Sequence, residues 1–185
     1  QIAETLDTHY GARAIDRPSV LANHYFAARA SADAYRARYF MRLAGEQAEA
    51  ASAWDEAWAW FDRSLDNARD LEDDERGALL YRRGMANRAR QRWDEAMADW
   101  NMALDLLEAE GPADVVAEIC FNMGQACMWT GDYRRGSQII ERGLLRLGDG
   151  ISAGRCRLLA LSAHCCRLEG DFVRCKALMA EAIPA

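Results

Sequence analysis

Residues 131–144, GDYRRGSQIIERGL, carry the pattern that decides the fold. A Gly-Asp turn gives way to an aromatic residue, Tyr133. A small residue, Gly136, follows three positions on, and an apolar anchor, Ile140, four after that. The same text recurs three times: Trp54 leads to Ala57 and Phe61, Trp93 to Ala96 and Trp100, and Phe172 to Cys175 and Met179. The leading aromatics are spaced by 39, 40 and 39 residues. A fixed period of this length marks a stacked helical repeat, in which each unit buries its apolar face only against its neighbours. The predicted fold is therefore all-α, and its expected product is a surface for partners.

Working outward, residues 1–10 read as a short helix ending near Gly11, and Arg17-Pro18-Ser19 as the start of another with Val20, Leu21, His24, Tyr25 and Ala28 on its apolar face. Ser31 is placed to cap a third, over residues 32–50, which presents Tyr35, Tyr39, Phe40, Leu43 and Ala44. The turn at Ala53-Trp54-Asp55 opens a helix to about Leu71 with Trp58, Phe61 and Leu65 inward. The acidic run Glu72-Asp73-Asp74-Glu75 suits the positive end of a helix dipole, so it is expected to start a helix to about Gln91. The Trp93 helix is expected to end near Gly111, and Pro112 to sit in the first turn of the next, which reaches Trp129. Thr130-Gly131-Asp132 and Glu169-Gly170-Asp171 read as turns within pairs, and Gly148-Asp149-Gly150 as the turn between the last two pairs. Ser152 then opens a helix to Leu168, and the final one runs over residues 172–183. No segment alternates with period two over a useful length, so no sheet is expected.

The chain has 185 residues, 51% of them hydrophobic, enough for a continuous core. Its net charge of −6 repels phosphate, which argues against nucleic acid and anionic membranes as partners. Lys176 is the only lysine among 23 basic residues. Arginine favours planar bidentate contacts, although abundant Ala, Arg and Trp also fits a bias in genomic base composition. No signal peptide or long apolar run is present, and a cytoplasmic location is the expectation. Cys120 and Cys127 fall within one predicted helix, so reduced thiols are expected rather than a disulfide framework. The opening at Gln1, in helical text, suggests a piece of a longer protein.

These residues resemble the tetratricopeptide repeat, in which small residues let two helices approach and large ones fill the space between units. The unit from Gly77 has Gly84, Ala96, Trp100 and Ala103 at the family's positions; the unit from Ala117 has Gly124, Gly136, Ile140 and Gly143; the unit from Cys156 has Ala163, Cys175, Met179 and Ala182. The unit from Arg38 keeps Ala57 and Phe61 but has Glu46 where a small residue is expected, so it is the weakest match. The resemblance implies a right-handed α-solenoid: a lead-in over residues 1–30, then helix pairs over about 31–71, 73–111, 112–148 and 152–183 in one continuous array. Units five or six residues longer than the familiar one of about 34 look like the helical sensor regions of large signalling ATPases. Those include maltose-activator-like regulators and ATPase-linked nucleotide cyclases. The segment Leu21-Ala22-Asn23-His24-Tyr25, with Ala27, Ala34-Tyr35 and Ala44-Gly45, resembles the helical lead-in of those proteins.

Catalytic chemistry finds little support. His164, Cys165 and Cys166 are adjacent, but neighbours on a helix point about 100° apart, and no C-x-x-C or H-x-x-x-H preorganises a metal. Buried packing thiols are the expectation there, and a Cys–His enzyme is the third-ranked alternative. His9 and His24 are expected to pack or hydrogen-bond beside Tyr10 and Tyr25. Asp55-Glu56 and Asp94-Glu95 are explained by helix starts. Gly148-Asp149-Gly150 lacks both the Lys-Ser/Thr and the strand of a phosphate loop. No catalytic residue, metal or cofactor is assigned.

The resemblance also implies that the first helices of successive pairs line a concave groove. Its positions fall on Tyr39 and Arg42, on Tyr81, Met85 and Arg88, on Phe121, Gln125 and Met128, and on Arg157, His164 and Arg167. Aromatic, Met and Arg side chains suit a protein or peptide partner, though Tyr81, Phe121 and Met128 also fit an ordinary inter-repeat core. A carboxylate clamp is not expected, because Tyr81, Met85, Phe121 and Gln125 stand where its polar residues would. The expected function is a non-catalytic interaction or sensor segment of a larger signalling protein. It would bind a protein, peptide or small effector, with occupancy changing contacts to neighbouring domains. A stand-alone peptide-binding adaptor is the alternative. Homodimerisation through uncapped repeat ends is a further expectation.

Overall fold

The computed structural model describes residues 5, 8, 17–28, 33–66 and 71–182. Among them are nine α-helices and no strand: α1 (Pro18–Ala28), α2 (Ala34–Ala50), α3 (Trp54–Asp66), α4 (Asp73–Ala89), α5 (Trp93–Leu107), α6 (Ala113–Thr130), α7 (Tyr133–Leu147), α8 (Ala153–Glu169) and α9 (Phe172–Ala182). The helix expected over residues 1–10 falls almost wholly outside the described residues, as do His9, Ser31 and Ile183. The cap of α2 is Asp33, whose carboxylate accepts from the N–H groups of Tyr35 at 2.9 Å and Arg36 at 3.2 Å.

Each leading aromatic is the first residue of a second helix: Trp54 of α3, Trp93 of α5, Tyr133 of α7 and Phe172 of α9. Two residues before each, the backbone enters the left-handed region, at Ser52 (φ 58°), Gln91 (φ 61°), Gly131 (φ 80°) and Gly170 (φ 84°). The next N–H then reaches back into the first helix. Ala53 donates to Ala48 and Arg92 to Asn87, both at 2.8 Å; Asp132 donates to Cys127 and Asp171 to Cys166, both at 2.9 Å. These bonds close the first helix by satisfying one of its last carbonyls. All four turns share this geometry, although only two carry the glycine that makes it free of strain.

Other helix ends differ slightly from expectation. Glu72 stands before α4 and Asp73, Asp74 and Glu75 fill its first turn. Pro112 is the residue before α6 rather than part of its first turn, because its ψ of 127° is extended. Leu71 lies outside any helix, and α5 stops at Leu107, with the Gly111 N–H returning to the Leu107 carbonyl at 2.8 Å.

The chain divides into two compact units, Gln1–Asp99 and Trp100–Ala185. In the first, α1 sets Leu21, Ala22 and Tyr25 against Phe40, Met41 and Ala44 of α2 and Trp60 of α3. Tyr25 stacks on Phe40 with centroids 5.8 Å apart. Val20 and His24 were expected on this face but are exposed. They share a flank about 100° away from Leu21 and Tyr25. Tyr35 is likewise exposed, standing in the first turn of α2.

A second cluster joins Ala48, Ala57, Phe61, Leu79 and Ala86, with Trp54, Trp58 and Leu65 at its edge. Here the small residue of the first unit is Gly45, not a residue replaced by Glu46. A Cβ on Gly45 would lie 2.5 Å from Cε1 of Phe61. Glu46, one position round the helix, is half-buried in ion pairs with Arg42 and Arg82. Gly45 and Ala57 are twelve residues apart, as are Gly84 and Ala96, so the first unit matches as well as the others. A polar clamp lies alongside: Asp99 takes both Nε (3.0 Å) and Nη2 (2.5 Å) of Arg83 and the Asn87 amide (2.9 Å), while Asp62 takes Arg83 Nη1 at 2.7 Å.

In the second unit, α6, α7 and α8 interlock through glycines. A Cβ on Gly124 would meet Ile140 at 2.8 Å and Leu161 at 3.1 Å; one on Gly143 would meet Cys120 at 2.8 Å and Leu158 at 2.9 Å. The helix α9 packs on α8 but has no fully buried residue. The motif's anchor, 0% exposed at Phe61, Trp100 and Ile140, is therefore 40% exposed at Met179, and Phe172 is 68% exposed. In α7 the anchor's face lies under a following helix, whereas in α9 it is open.

Candidate binding face of the first helices

In the first unit the candidate residues lie on α2 and α4 and are all half-buried, so part of each side chain stays accessible. Tyr39 meets Phe40 edge-on at 5.2 Å, and the Arg42 guanidinium lies 5.7 Å from the Tyr39 ring while pairing with Glu46 at 2.7 Å. Tyr81, Met85 and Arg88 follow one another at helical spacing along α4. Arg82, which the sequence reading passed over, bonds Glu49 at 2.6 Å and approaches Glu46 at 3.4 Å. It thereby ties α4 to α2. The signal was available, since Glu46 and Glu49 lie on the α2 face and Arg82 falls roughly one repeat later.

In the second unit the candidates lie on α6 and α8. Arg157 holds Glu118 through two nitrogens, at 2.7 and 3.3 Å, and its guanidinium stacks 4.1 Å above the Phe121 ring. A guanidinium over an aromatic face is attractive while leaving the rim of the ring exposed. Gln125 and Met128 are half-buried further along α6; His164 and Arg167 are exposed on α8. Arg167 Nη2 lies 3.3 Å from His164 Nδ1, a contact in which the guanidinium can only be the donor. The structure thus brings together Tyr39 with Arg42, Phe121 with Arg157, and His164 with Arg167. Two further exposed side chains stand near the C-terminal ends of α6 and α8 and were missed: Trp129, 81% exposed, and Leu168. Their offset of 39 residues, the same as that of Glu118 and Arg157, would have revealed them.

The cysteines have the character of packing residues. All six are free, and Cys120, Cys127, Cys165 and Cys166 are buried. Burial pushes the Cys120 thiol up to about 12 and the Cys165 thiol up to about 11, and raises Cys127 and Cys166 as well. A nucleophilic cysteine needs the opposite shift. His164 is exposed and engaged with Arg167, so it does not activate Cys165. His24 is exposed rather than packed. Among the described residues no group of three or more possible ligands gathers to hold a metal, and no helix is long and apolar enough to cross a membrane.

Two clefts lie away from the candidate residues. One, about 620 Å³, is lined by Trp54, Asp55, Arg90 and Arg92 beside the turns of the first unit. The other, about 710 Å³, is lined by Arg134, Ser137, Gln138 and Glu141 of α7, Glu169 at the end of α8 and Arg174 of α9.

No protein-family model and no curated protein matches the chain. Solved structures do. The crystal structure of BtubC (BKLC) from P. vanneervenii superposes with a TM-score of 0.73 at 16% identity, over 97% of this chain and 84% of that one. A putative kinesin light chain from Podosopora anserina, described as having nearly identical TPR-like repeats, gives 0.73 at 12% identity over 98% and 89%. YrrB, described as a TPR protein with an unusual peptide-binding site, gives 0.66 at 14% identity over 98% and 81%. The fold is that of a tetratricopeptide-like helical repeat protein.

Proposed function

We propose that this chain is a non-catalytic interaction or sensor segment that binds a protein, peptide or small effector on the exposed faces of its first helices. The observation that carries this reading is the Glu118–Arg157–Phe121 arrangement. It joins consecutive first helices while leaving aromatic, Met and Arg surface accessible, the chemistry from which binding hot spots are built. The peptide-binding description of YrrB supports the same use of a similar fold. The segment would belong to a larger cytoplasmic regulatory protein, with occupancy of the face altering contacts to adjoining domains. A stand-alone adaptor is the alternative, and the coding sequence on either side separates the two. A selection from a random peptide library tests the binding reading. Selected peptides should bind in the micromolar range and lose binding in Arg88→Ala or Arg167→Ala, and binding unaffected by either would contradict it.

Self-association is a second proposal, carried by α9, where Phe172, Val173 and Met179 are exposed. Sedimentation across a concentration series should show a dimer that Val173→Glu abolishes. A monomer throughout removes it.

A further inference from the structure

We propose that Cys166 and Cys175 form a reversible disulfide that locks α9 onto α8. The turn joining these helices repeats the one before it. Gly131 and Gly170 have φ of 80° and 84°, and the N–H groups of Asp132 and Asp171 reach the carbonyls of Cys127 and Cys166, both at 2.9 Å. Beyond each turn the N–H groups of Gly136 and Cys175 return to the carbonyls of Asp132 and Asp171, both at 3.0 Å. Cys166 and Cys175 therefore stand, 39 residues on, where Cys127 and Gly136 stand in the preceding pair. A Cβ on Gly136 would lie 3.2 Å from Cβ of Cys127, so these two positions are as close as side chains on neighbouring helices come. A disulfide spans Cβ atoms about 3.5–4.5 Å apart, a separation that a shift of a few tenths of an ångström supplies. The other two turns hold Ala48 with Ala57 and Asn87 with Ala96 at these positions, so of the four turns only the last carries a thiol on both helices.

The two thiols differ in access, as a two-step exchange requires. Cys175 is half-buried and Cys166 is buried. The Cys175 thiolate attacks one sulfur of a small-molecule disulfide, whose S–S bond breaks as a mixed disulfide forms and one thiolate leaves. The Cys166 thiolate then attacks Cys175 Sγ, and the second small thiolate leaves. Two electrons pass from the protein to the oxidant, and the two cysteine protons end on the two released thiols. Burial raises the Cys166 thiol, and the Arg174 guanidinium beside it acts in the opposite sense. Cys165 faces another way: its Sγ would lie 3.7 Å from a Cβ on Gly136 of α7, and adjacent residues on a helix diverge by about 100°. The element that the bond controls is α9, which has no fully buried residue to hold it. Oxidation ties it to α8 through a closed loop of residues 166–175.

The test equilibrates the protein with glutathione disulfide, quenches with acid, blocks the remaining thiols with N-ethylmaleimide under denaturing conditions and analyses unreduced tryptic peptides by mass spectrometry. The oxidised chain should be a monomer two hydrogens lighter than the reduced one, with the peptide holding Cys166 linked to the one holding Cys175. Cys165→Ala should keep the bond, Cys166→Ala and Cys175→Ser should lose it, and dithiothreitol should reverse it. Circular dichroism checks that each variant is folded. Hydrogen exchange of the α9 amides should slow about tenfold on oxidation, and Cys175→Ser treated alike should show no change. A bond from Cys175 to Cys165, a bond between Cys127 and Cys165 in its place, mixed disulfides alone or no bond at all would overturn the proposal. A Cys166–Cys175 bond that leaves α9 exchange unaltered would remove the lock.

Discussion

Gly45 and Phe61 are in such close contact that a single added methyl group would lie 2.5 Å from the ring. The same relationship recurs sixteen residues apart in the second unit, where a Cβ on Gly124 would meet Ile140 at 2.8 Å. Phe61 and Ile140 are both fully buried and cannot retreat. Alanine favours a helix over glycine by about 1 kcal/mol, but overpacking costs about 1–3 kcal/mol. Gly45→Ala and Gly124→Ala should therefore destabilise the protein in urea unfolding. Gly154→Ala, whose Cβ would find Leu147 at an ordinary 3.5 Å, should instead stabilise it by about 0.5 kcal/mol.

Ser52 and Gln91 hold the left-handed turn that Gly131 and Gly170 hold elsewhere. An L side chain there costs roughly 1–2 kcal/mol, partly offset by the greater unfolded-state freedom of glycine. Ser52→Gly and Gln91→Gly should each raise stability by about 0.5–1 kcal/mol. Thermal unfolding of the single and double variants checks this, and the two effects should add.

Asp99 is the centre of the polar clamp in the first unit. Burial opposes the charge on Arg83 most strongly, yet the bonds and charges of Asp99 and Asp62 together hold its pKa above the ordinary value. Asp99→Ala leaves Arg83 with Asp62 alone and the buried Asn87 amide without its acceptor, and should cost about 1–3 kcal/mol. Asp62→Ala, whose side chain is 32% exposed, should cost under about 1 kcal/mol. Denaturant titration of the two variants measures the difference.

Legibility of the sequence was greatest where one residue type answers one geometric demand. An aromatic at the first position of each second helix, followed by a small residue, located the starts of α3, α5, α7 and α9. Gly131 and Gly170 announced their turns, whereas Ser52 and Gln91 adopt the same backbone without that signal, because the surrounding helices impose it. Gly45 was legible too, twelve residues before Ala57 as Gly84 is before Ala96, and placing the small position at Glu46 missed that spacing. In α3 the aromatics Trp54, Trp58, Trp60 and Phe61 exceed one face, and burial of Trp60 follows from α1 and α2 lying on its other side. The candidate face was read from the repeat register and so found positions well. The ion pairs between successive first helices, Arg82 with Glu49 across 33 residues and Arg157 with Glu118 across 39, follow no single spacing, and so the acidic and basic positions could be seen in the sequence while the pairing itself could not.

The buried thiols fix an alkaline limb of stability. Cys120 and Cys165 ionise at about 12 and about 11 in the folded chain, through burial, against 9.0 when free. Both are neutral in both states below pH 9, where their contribution is fully present. Above pH 9 the unfolded chain loses these protons first, so stability falls as pH rises toward 11 and 12. The fall should be shallower in Cys120→Ala than in the parent. In the folded protein Cys156 and Cys175, only half-buried, should react with a thiol reagent before the four buried cysteines.

Backbone amide chemical shifts, recorded as a library-selected peptide is titrated in, test most directly whether the first helices carry the working surface. Changes should concentrate on that surface, in the second unit at Phe121, Gln125, Met128, Trp129, His164 and Arg167. Changes concentrated on α7 and α9 instead, around Tyr133, Glu141 and Phe172, would contradict it.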